Sequence, residues 1–157
     1  MSEIRKRTIA GLKAGDVFNV TRTFTEADVI AFAHISRDYN PIHFERRFAG
    51  TKGISGLICH GLLVGSMLTE IGGQIGWLAS GVNYKFSKPV HYNDTITCTL
   101  TITRMDEKGK AAAKAEFVNQ HGVLVMQAEL FGIIPMGSDR EVLKTMVEEG
   151  DPTNGMQ

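Results

Sequence analysis

Leu57-Ile-Cys-His-Gly-Leu-Leu-Val-Gly-Ser-Met-Leu-Thr-Glu-Ile-Gly-Gly-Gln-Ile-Gly-Trp-Leu78 is the stretch on which the fold turns. Leu62, Leu63, Val64, Met67, Leu68 and Ile71 leave no polar face, and Gly61, Gly65, Gly72, Gly73 and Gly76 lie between and after them. Such a segment either crosses a membrane or sits inside a core. His60, Glu70 and Gln74 interrupt it, so no uncharged apolar run of about 18 residues survives, and the membrane reading falls. The stretch is predicted to be one long helix, buried nearly all round in a soluble core. Gly61 and Gly65 have the spacing of membrane helix dimers, but here they predict close approach of another backbone, at some cost in helix propensity.

The flanks supply what wraps it. On the N-terminal side, residues 16–24 are rich in β-formers, with Phe18, Val20 and Phe24 on one parity, and read as a strand. Helix-start signals follow: Thr25 as N-cap, Asp28 three positions on, and Phe24 with Val29 as a hydrophobic staple, predicting a helix from Glu26 to Ser36. Pro41 disfavours helical geometry at Asn40, so Asp38 to His43 form a turn. On the C-terminal side, Val82, Tyr84 and Phe86 alternate before Pro89. Thr95 to Arg104 puts Ile96, Cys98, Leu100 and Ile102 on one face and threonines on the other. Turns at 106–110 and 119–122 separate two further strands, Ala111 to Asn119 and Val123 to Ile134. The sum is an α+β domain in which an antiparallel β-sheet wraps a long central helix. Residues 1–137 are expected to form this one domain. Residues 138–157 are expected to be a polar tail, with a short helix capped by Ser138 and Glu141 to about Val147 and a frayed end from Gly150.

Composition narrows the function. The 157 residues carry 17 Lys plus Arg against 17 Asp plus Glu, so no net field attracts nucleic acid or an anionic membrane. The charged N-terminus is not followed by an apolar signal core, and the cytoplasm is the expected location. Cys59 and Cys98 lack the number and spacing of a disulfide framework or a zinc site and are expected to be reduced core residues; neither metal nor cofactor is expected. Cys59 and His60 are adjacent, but catalytic Cys/His pairs meet in space rather than in sequence, so no nucleophile is read there. No phosphate-cradling glycine motif is present, since Gly72-Gly73-Gln74-Ile75-Gly76 fits none of them.

Two constellations carry chemistry. Asp38-Tyr-Asn-Pro-Ile-His43 sets a carboxylate and an imidazole five positions apart across the proline turn. In one reading Asp38 only makes an Asx-turn with the backbone near Asn40, and His43 is an ordinary exposed side chain. In the other, the turn aims both side chains into one pocket, where a histidine of ordinary pKa near 6.5 and a carboxylate share a proton of water or substrate. Spacing alone leaves both open. The second constellation is Cys59-His60-Gly61, where the first-turn N–H groups of the buried helix suit a developing oxyanion and glycine admits a ligand close to the backbone; packing alone also explains the glycine. His34, His91 and His121 read as structural or solvated.

The Asp38-Tyr-Asn-Pro-Ile-His43 element, with His60-Gly61-Leu-Leu downstream, resembles the hydratase 2 motif of the MaoC-like (R)-specific enoyl-CoA hydratases, which have the hotdog fold. The resemblance spans roughly residues 10–135. It implies a cytoplasmic dimer in which Asp38 and His43 hold one water and add it across the double bond of a trans-2-enoyl-CoA, giving an (R)-3-hydroxyacyl-CoA, with no cofactor. By the same resemblance, the Gly61 N–H takes the thioester oxygen, while Asn40, His60 and Thr69 support substrate or dyad, Thr69 falling where many relatives have a serine. Glu45 stands where many relatives have an aspartate, and Gly72 to Gly81, with the single tryptophan Trp77, falls near where relatives form part of the acyl pocket. Rival readings are a 3-hydroxyacyl-ACP dehydratase, a hotdog thioesterase and a non-catalytic acyl-CoA binding module.

Overall fold

The structure, a computed structural model, describes residues 2–151 and 153. Five antiparallel strands form one sheet in the order β1-β3-β4-β5-β2, with β1 Val17–Thr23, β2 Leu78–Phe86, β3 Thr95–Met105, β4 Lys110–Asn119 and β5 Leu124–Ile133. Strand β3 shows why the sheet has two faces. Ile96, Cys98, Leu100 and Ile102 are fully buried, whereas the opposite parity is bonded sideways: Thr21 to Thr97 and Thr23 to Thr95 meet hydroxyl to hydroxyl across β1 and β3. Each buried aliphatic of this kind is worth about 1.5–3 kcal/mol relative to exposure.

The helix in the hand of this sheet is α4, Gly61–Gly65, continued after one interruption at Ser66 by α5, Met67–Ile75. Met67, Ile71 and Ile75 are wholly buried against the sheet's inner face. The predicted helix over 57–78 is therefore too long at both ends. Residues before His60 are taken by pairing with another segment: Ile58 bridges His91, and the Cys59 N–H donates to the Val90 carbonyl at 2.7 Å. At the other end Gly76 adopts φ 80°, a left-handed cap, and Leu78 already belongs to β2. The glycines Gly61 and Gly65 admit aromatic rings of β2, not another backbone: a Cβ on Gly61 would lie 2.5 Å from Phe86, and one on Gly65 2.9 Å from Tyr84.

Helix α2, Glu26–Ser36, has the expected ends. Thr25 and Asp28 make a reciprocal capping box, Phe24 and Val29 are fully buried, and Arg37 closes the helix at φ 61°. Two helices have no counterpart in the sequence reading. The first, α1 (Glu3–Ala10), starts on Ser2, whose Oγ accepts the Arg5 N–H; the second, α3 (Arg46–Thr51), starts on Glu45, whose carboxylate accepts the Arg47 N–H. The tail carries the expected helix, with its capping bond made by Asp139 rather than by Ser138 and Glu141, and differs beyond it. Helix α6 spans Gly137–Glu148, with the Asp139 carboxylate accepting the Met136 N–H, and Asp151 is buried and ion-paired to Arg5 at 3.1 Å rather than frayed. The Thr153 N–H and hydroxyl both donate to Asp151 Oδ1, and residues 152 and 154–157 of the expected frayed tail lie outside the described residues. No helix among the described residues is long and apolar enough to cross a membrane.

Candidate active site

Where α2 ends, the chain turns by side-chain-to-backbone bonds. Asp38 Oδ1 accepts the Asn40 N–H at 3.1 Å, Asn40 Oδ1 accepts the Ile42 N–H at 3.2 Å, and Pro41–His43 forms a single 3-10 turn. The Asx-turn is therefore real, yet it occupies only one carboxylate oxygen. Asp38 Oδ2 lies 4.0 Å from His43 Nε2. That is too long for a direct hydrogen bond and the right span for an oxygen held between the two. The Asx-turn and the placing of both side chains on one cleft coexist, because the turn consumes only one of the two carboxylate oxygens.

His43 is not exposed; it retains only 7% of its surface. Its Nδ1–H donates to the Ile58 carbonyl at 2.9 Å, which leaves the lone pair on Nε2, toward Asp38. Burial lowers the His43 pKa below its ordinary value; the Ile58 bond opposes this, neighbouring His60 adds to it, and the Asp38 carboxylate again opposes. The Tyr92 hydroxyl donates to the His43 carbonyl and fixes the turn from β3's side. Beneath His43 lies His60, its ring centroid 3.8 Å away with the planes tilted 32°. His60 Nε2–H donates to the Asp38 carbonyl at 2.9 Å, so the residue preceding α4 holds the residue that starts the turn.

A cleft of about 440 Å³ collects these groups: Asp38, His43, His60 and Gly61 line it, over an apolar floor that includes Val64, Val125 and Met126. Gly61 is the first residue of α4, and His60 gives that helix no side-chain cap, so the first-turn N–H groups are left for another acceptor. Phe86 and Lys88, from the end of β2 and beyond, close one side. Cys59 also reaches the cleft, but burial pushes its thiol up to about 12 and its Sγ donates to the His91 carbonyl, which leaves no thiolate for attack. Cys98 is likewise buried and free.

Other expected residues are not brought to the cleft. Thr69 is exposed on α5, its hydroxyl spent on the Ser66 carbonyl at 2.6 Å. Asn40 shapes the turn rather than the cleft wall. The Gly72 to Gly81 stretch lies at the opposite end of α5, where Trp77 packs beside Gly72 and Gly132, so it contributes nothing to this cleft. Glu45 caps α3 and is held at about 2 by the Arg47 side chain. In turn, Tyr92, Phe86, Met126 and the Ile58 carbonyl escaped the sequence reading. Only Phe86 carried a signal, the parity it shares with Val82 and Tyr84.

Comparison with known proteins gives the family. A family model described as "MaoC like domain" matches residues 12–122. The mitochondrial 3-hydroxyacyl-[acyl-carrier-protein] dehydratase of Arabidopsis thaliana is 31% identical over 140 residues, covering 85% of this chain and 83% of that relative. The (R)-specific enoyl-CoA hydratase of Aeromonas caviae is 30% identical over 129 residues, covering 79% of this chain and 96% of the relative. The solved (R)-hydratase from A. caviae involved in PHA biosynthesis superimposes with a TM-score of 0.74, covering 80% of this chain and 98% of that one. The chain belongs to the MaoC-like hydratase/dehydratase family, hydro-lyases built on the hotdog fold.

Proposed function

We propose that this protein reversibly hydrates trans-2-enoyl-CoA to (R)-3-hydroxyacyl-CoA. The observation that carries the proposal is the convergence of Asp38 Oδ2 and His43 Nε2, 4.0 Å apart, in the cleft that Gly61 also lines. Both groups bind one water. As its oxygen bonds to the β-carbon, one proton passes to the pair and one passes from the pair to the α-carbon, so the site ends as it began. Negative charge grows on the thioester oxygen during the addition, and the uncapped N–H of Gly61 receives it. His43 is suited to its part because its tautomer is fixed by the Ile58 carbonyl. The apolar floor takes the acyl chain, and Lys88 offers a cation to an anionic carrier. His60 acts as a positioning residue through its bond to the Asp38 carbonyl.

The carrier has a second reading. The Arabidopsis relative is named for acyl carrier protein and the Aeromonas relative for CoA, and the chemistry of the dyad is the same for either. We take the functional unit to be a homodimer. The edge strand β2 runs exposed from Leu78, 71% exposed, to Phe86, 56% exposed and at the cleft, and a second copy would cover it. Residues 1–137 form the catalytic domain in this reading, with α6 appended. The test is turnover of crotonyl-CoA and crotonyl-acyl carrier protein by purified protein, with the product enantiomer read by an enantiomer-specific dehydrogenase. An (R) product with CoA preferred is expected. An (S) product, or release of free thiol from saturated acyl-CoA, contradicts the proposal.

A further inference from the structure

His43 is gripped from outside the cleft by the turn at residues 91–94. Tyr92 does not line the cleft, yet its hydroxyl donates to the His43 carbonyl from 49 residues along the chain. The same turn reaches the His43 ring by a second route. His43 Nδ1–H donates to the Ile58 carbonyl at 2.9 Å, and the segment carrying that carbonyl is fastened to the turn. Ile58 bridges His91, His91 Nδ1–H donates to the Leu57 carbonyl at 3.2 Å, and the Cys59 N–H donates to the Val90 carbonyl at 2.7 Å. One turn therefore holds His43 at its main chain directly and at its ring through Ile58.

The turn is itself pinned to the core. Asp94 Oδ2 accepts the His91 N–H at 2.8 Å, and Asp94 Oδ1 accepts the Gln120 side-chain N–H at 2.6 Å. The Asn93 N–H donates to the carbonyl of Phe24, a fully buried residue, whose own N–H donates to the Asp94 carbonyl at 3.0 Å. Asn93 takes φ 68°, a left-handed conformation that asparagine tolerates. Burial raises the Tyr92 hydroxyl above its ordinary value near 10, so the proton it donates stays in place across the neutral range. Any acceptor satisfies a half-buried tyrosine hydroxyl; this one bonds the main chain of the dyad histidine.

We infer that Tyr92 is a positioning residue for the hydration, holding the His43 main chain so that Nε2 stands 4.0 Å from Asp38 Oδ2, the span that one water fills. The two halves of the dyad then have separate supports, His60 for the Asp38 carbonyl and Tyr92 for the His43 carbonyl. Without the hydroxyl, residues 41–43 lose a tie to the sheet, and His43 shifts relative to Asp38. A misplacement of about 1 Å in a reacting pair costs on the order of 10²-fold in rate. Tyr92 is absent from the cleft wall, so the loss falls on kcat and not on KM.

The kinetic part rests on the proposed function; the geometric part does not, and the experiment reads them separately. Tyr92→Phe keeps the ring and removes the hydroxyl. With crotonyl-CoA it is expected to lower kcat by about 10- to 100-fold with KM within about twofold. Its melting temperature is expected to fall by only about 2–4 °C. An unchanged kcat, a loss carried by KM, or a loss that merely follows the folded fraction overturns the role. NMR of the His43 ring protons reports the geometry without turnover, because that ring lies 3.8 Å from the His60 ring and its shifts respond to any displacement between the two. Tyr92→Phe is expected to move them, and wild-type shifts in the variant overturn the inference. Moved His43 signals in a protein whose wild type hydrates no enoyl thioester support the grip on His43 and count against the proposed function.

Discussion

The two ends of the buried helix α4–α5 are finished in opposite ways. At the C-terminal end the carbonyls of Gly72, Gly73 and Gln74 are bonded from within the protein: the Gly76 and Trp77 N–H groups both reach the Gly72 carbonyl, and Arg5 donates through Nε to Gln74 and through Nη2 to Gly73. Arg5 is itself neutralised by Asp151, 3.1 Å away and equally buried. At the N-terminal end His60 supplies no cap, and Gly61 opens on the cleft beside Asp38 and His43. A helix end with its polar groups satisfied is a structural joint; one left unsatisfied beside an acid/base pair is a place for a ligand.

The contrast breaks most visibly at the cleft. Asp38→Asn and His43→Gln are each expected to lower kcat by about 10²- to 10⁴-fold, with the melting temperature little changed, as steady-state assay and thermal denaturation will show. At the other end Arg5→Ala should do the reverse. Losing the charge-assisted bonds to Gly73 and Gln74 costs about 2–3 kcal/mol in denaturant unfolding, while kcat of the folded fraction stays near wild type. Gly61→Ala sharpens the comparison, because its Cβ falls 2.5 Å from the Phe86 ring. A drop in kcat/KM on the order of tenfold, about 1.4 kcal/mol, is expected. Adding Phe86→Ala should recover stability without recovering activity.

The smallest effect is the pH dependence. The folded His43 pKa lies below its unfolded value, so folding favours the neutral ring. Its contribution is intact above the unfolded value of about 6.5 and is lost as pH falls through the folded one. The acid limb of kcat/KM for wild type should accordingly bend below about pH 6.5, and a limb above that value would point to another base.

Legibility in the sequence followed the range of the interactions. Helix α2 was readable to the residue because Thr25, Asp28, Phe24 and Val29 act within a few positions of one another. Strand β3 was readable because its partners impose strict alternation. Helix α1 was not, since a short charged segment has little helical tendency of its own and is held by Arg5 reaching Gly73, Gln74 and Asp151 far along the chain. The start of α4 was misplaced for the same reason: pairing of Ile58 with His91 and of Cys59 with Val90 is invisible in a local pattern. At the candidate site, the hexapeptide singled out Asp38 and His43 but not the burial of His43, nor the bond by which His60 holds the Asp38 carbonyl. Thr69 shows the converse, a position inferred from resemblance that does not line the cleft and bonds the Ser66 carbonyl instead.

The central claim is that water is added to the β-carbon of the acyl chain between Asp38 and His43. Incubation with crotonyl-CoA in ¹⁸O-labelled water, with mass spectrometry of the product, tests it most directly. Label in a 3-hydroxyl group of an intact thioester, absent with Asp38→Asn and His43→Gln, is the expected result. Label in a free carboxylate with release of CoA, or label incorporated equally by both variants, would contradict it.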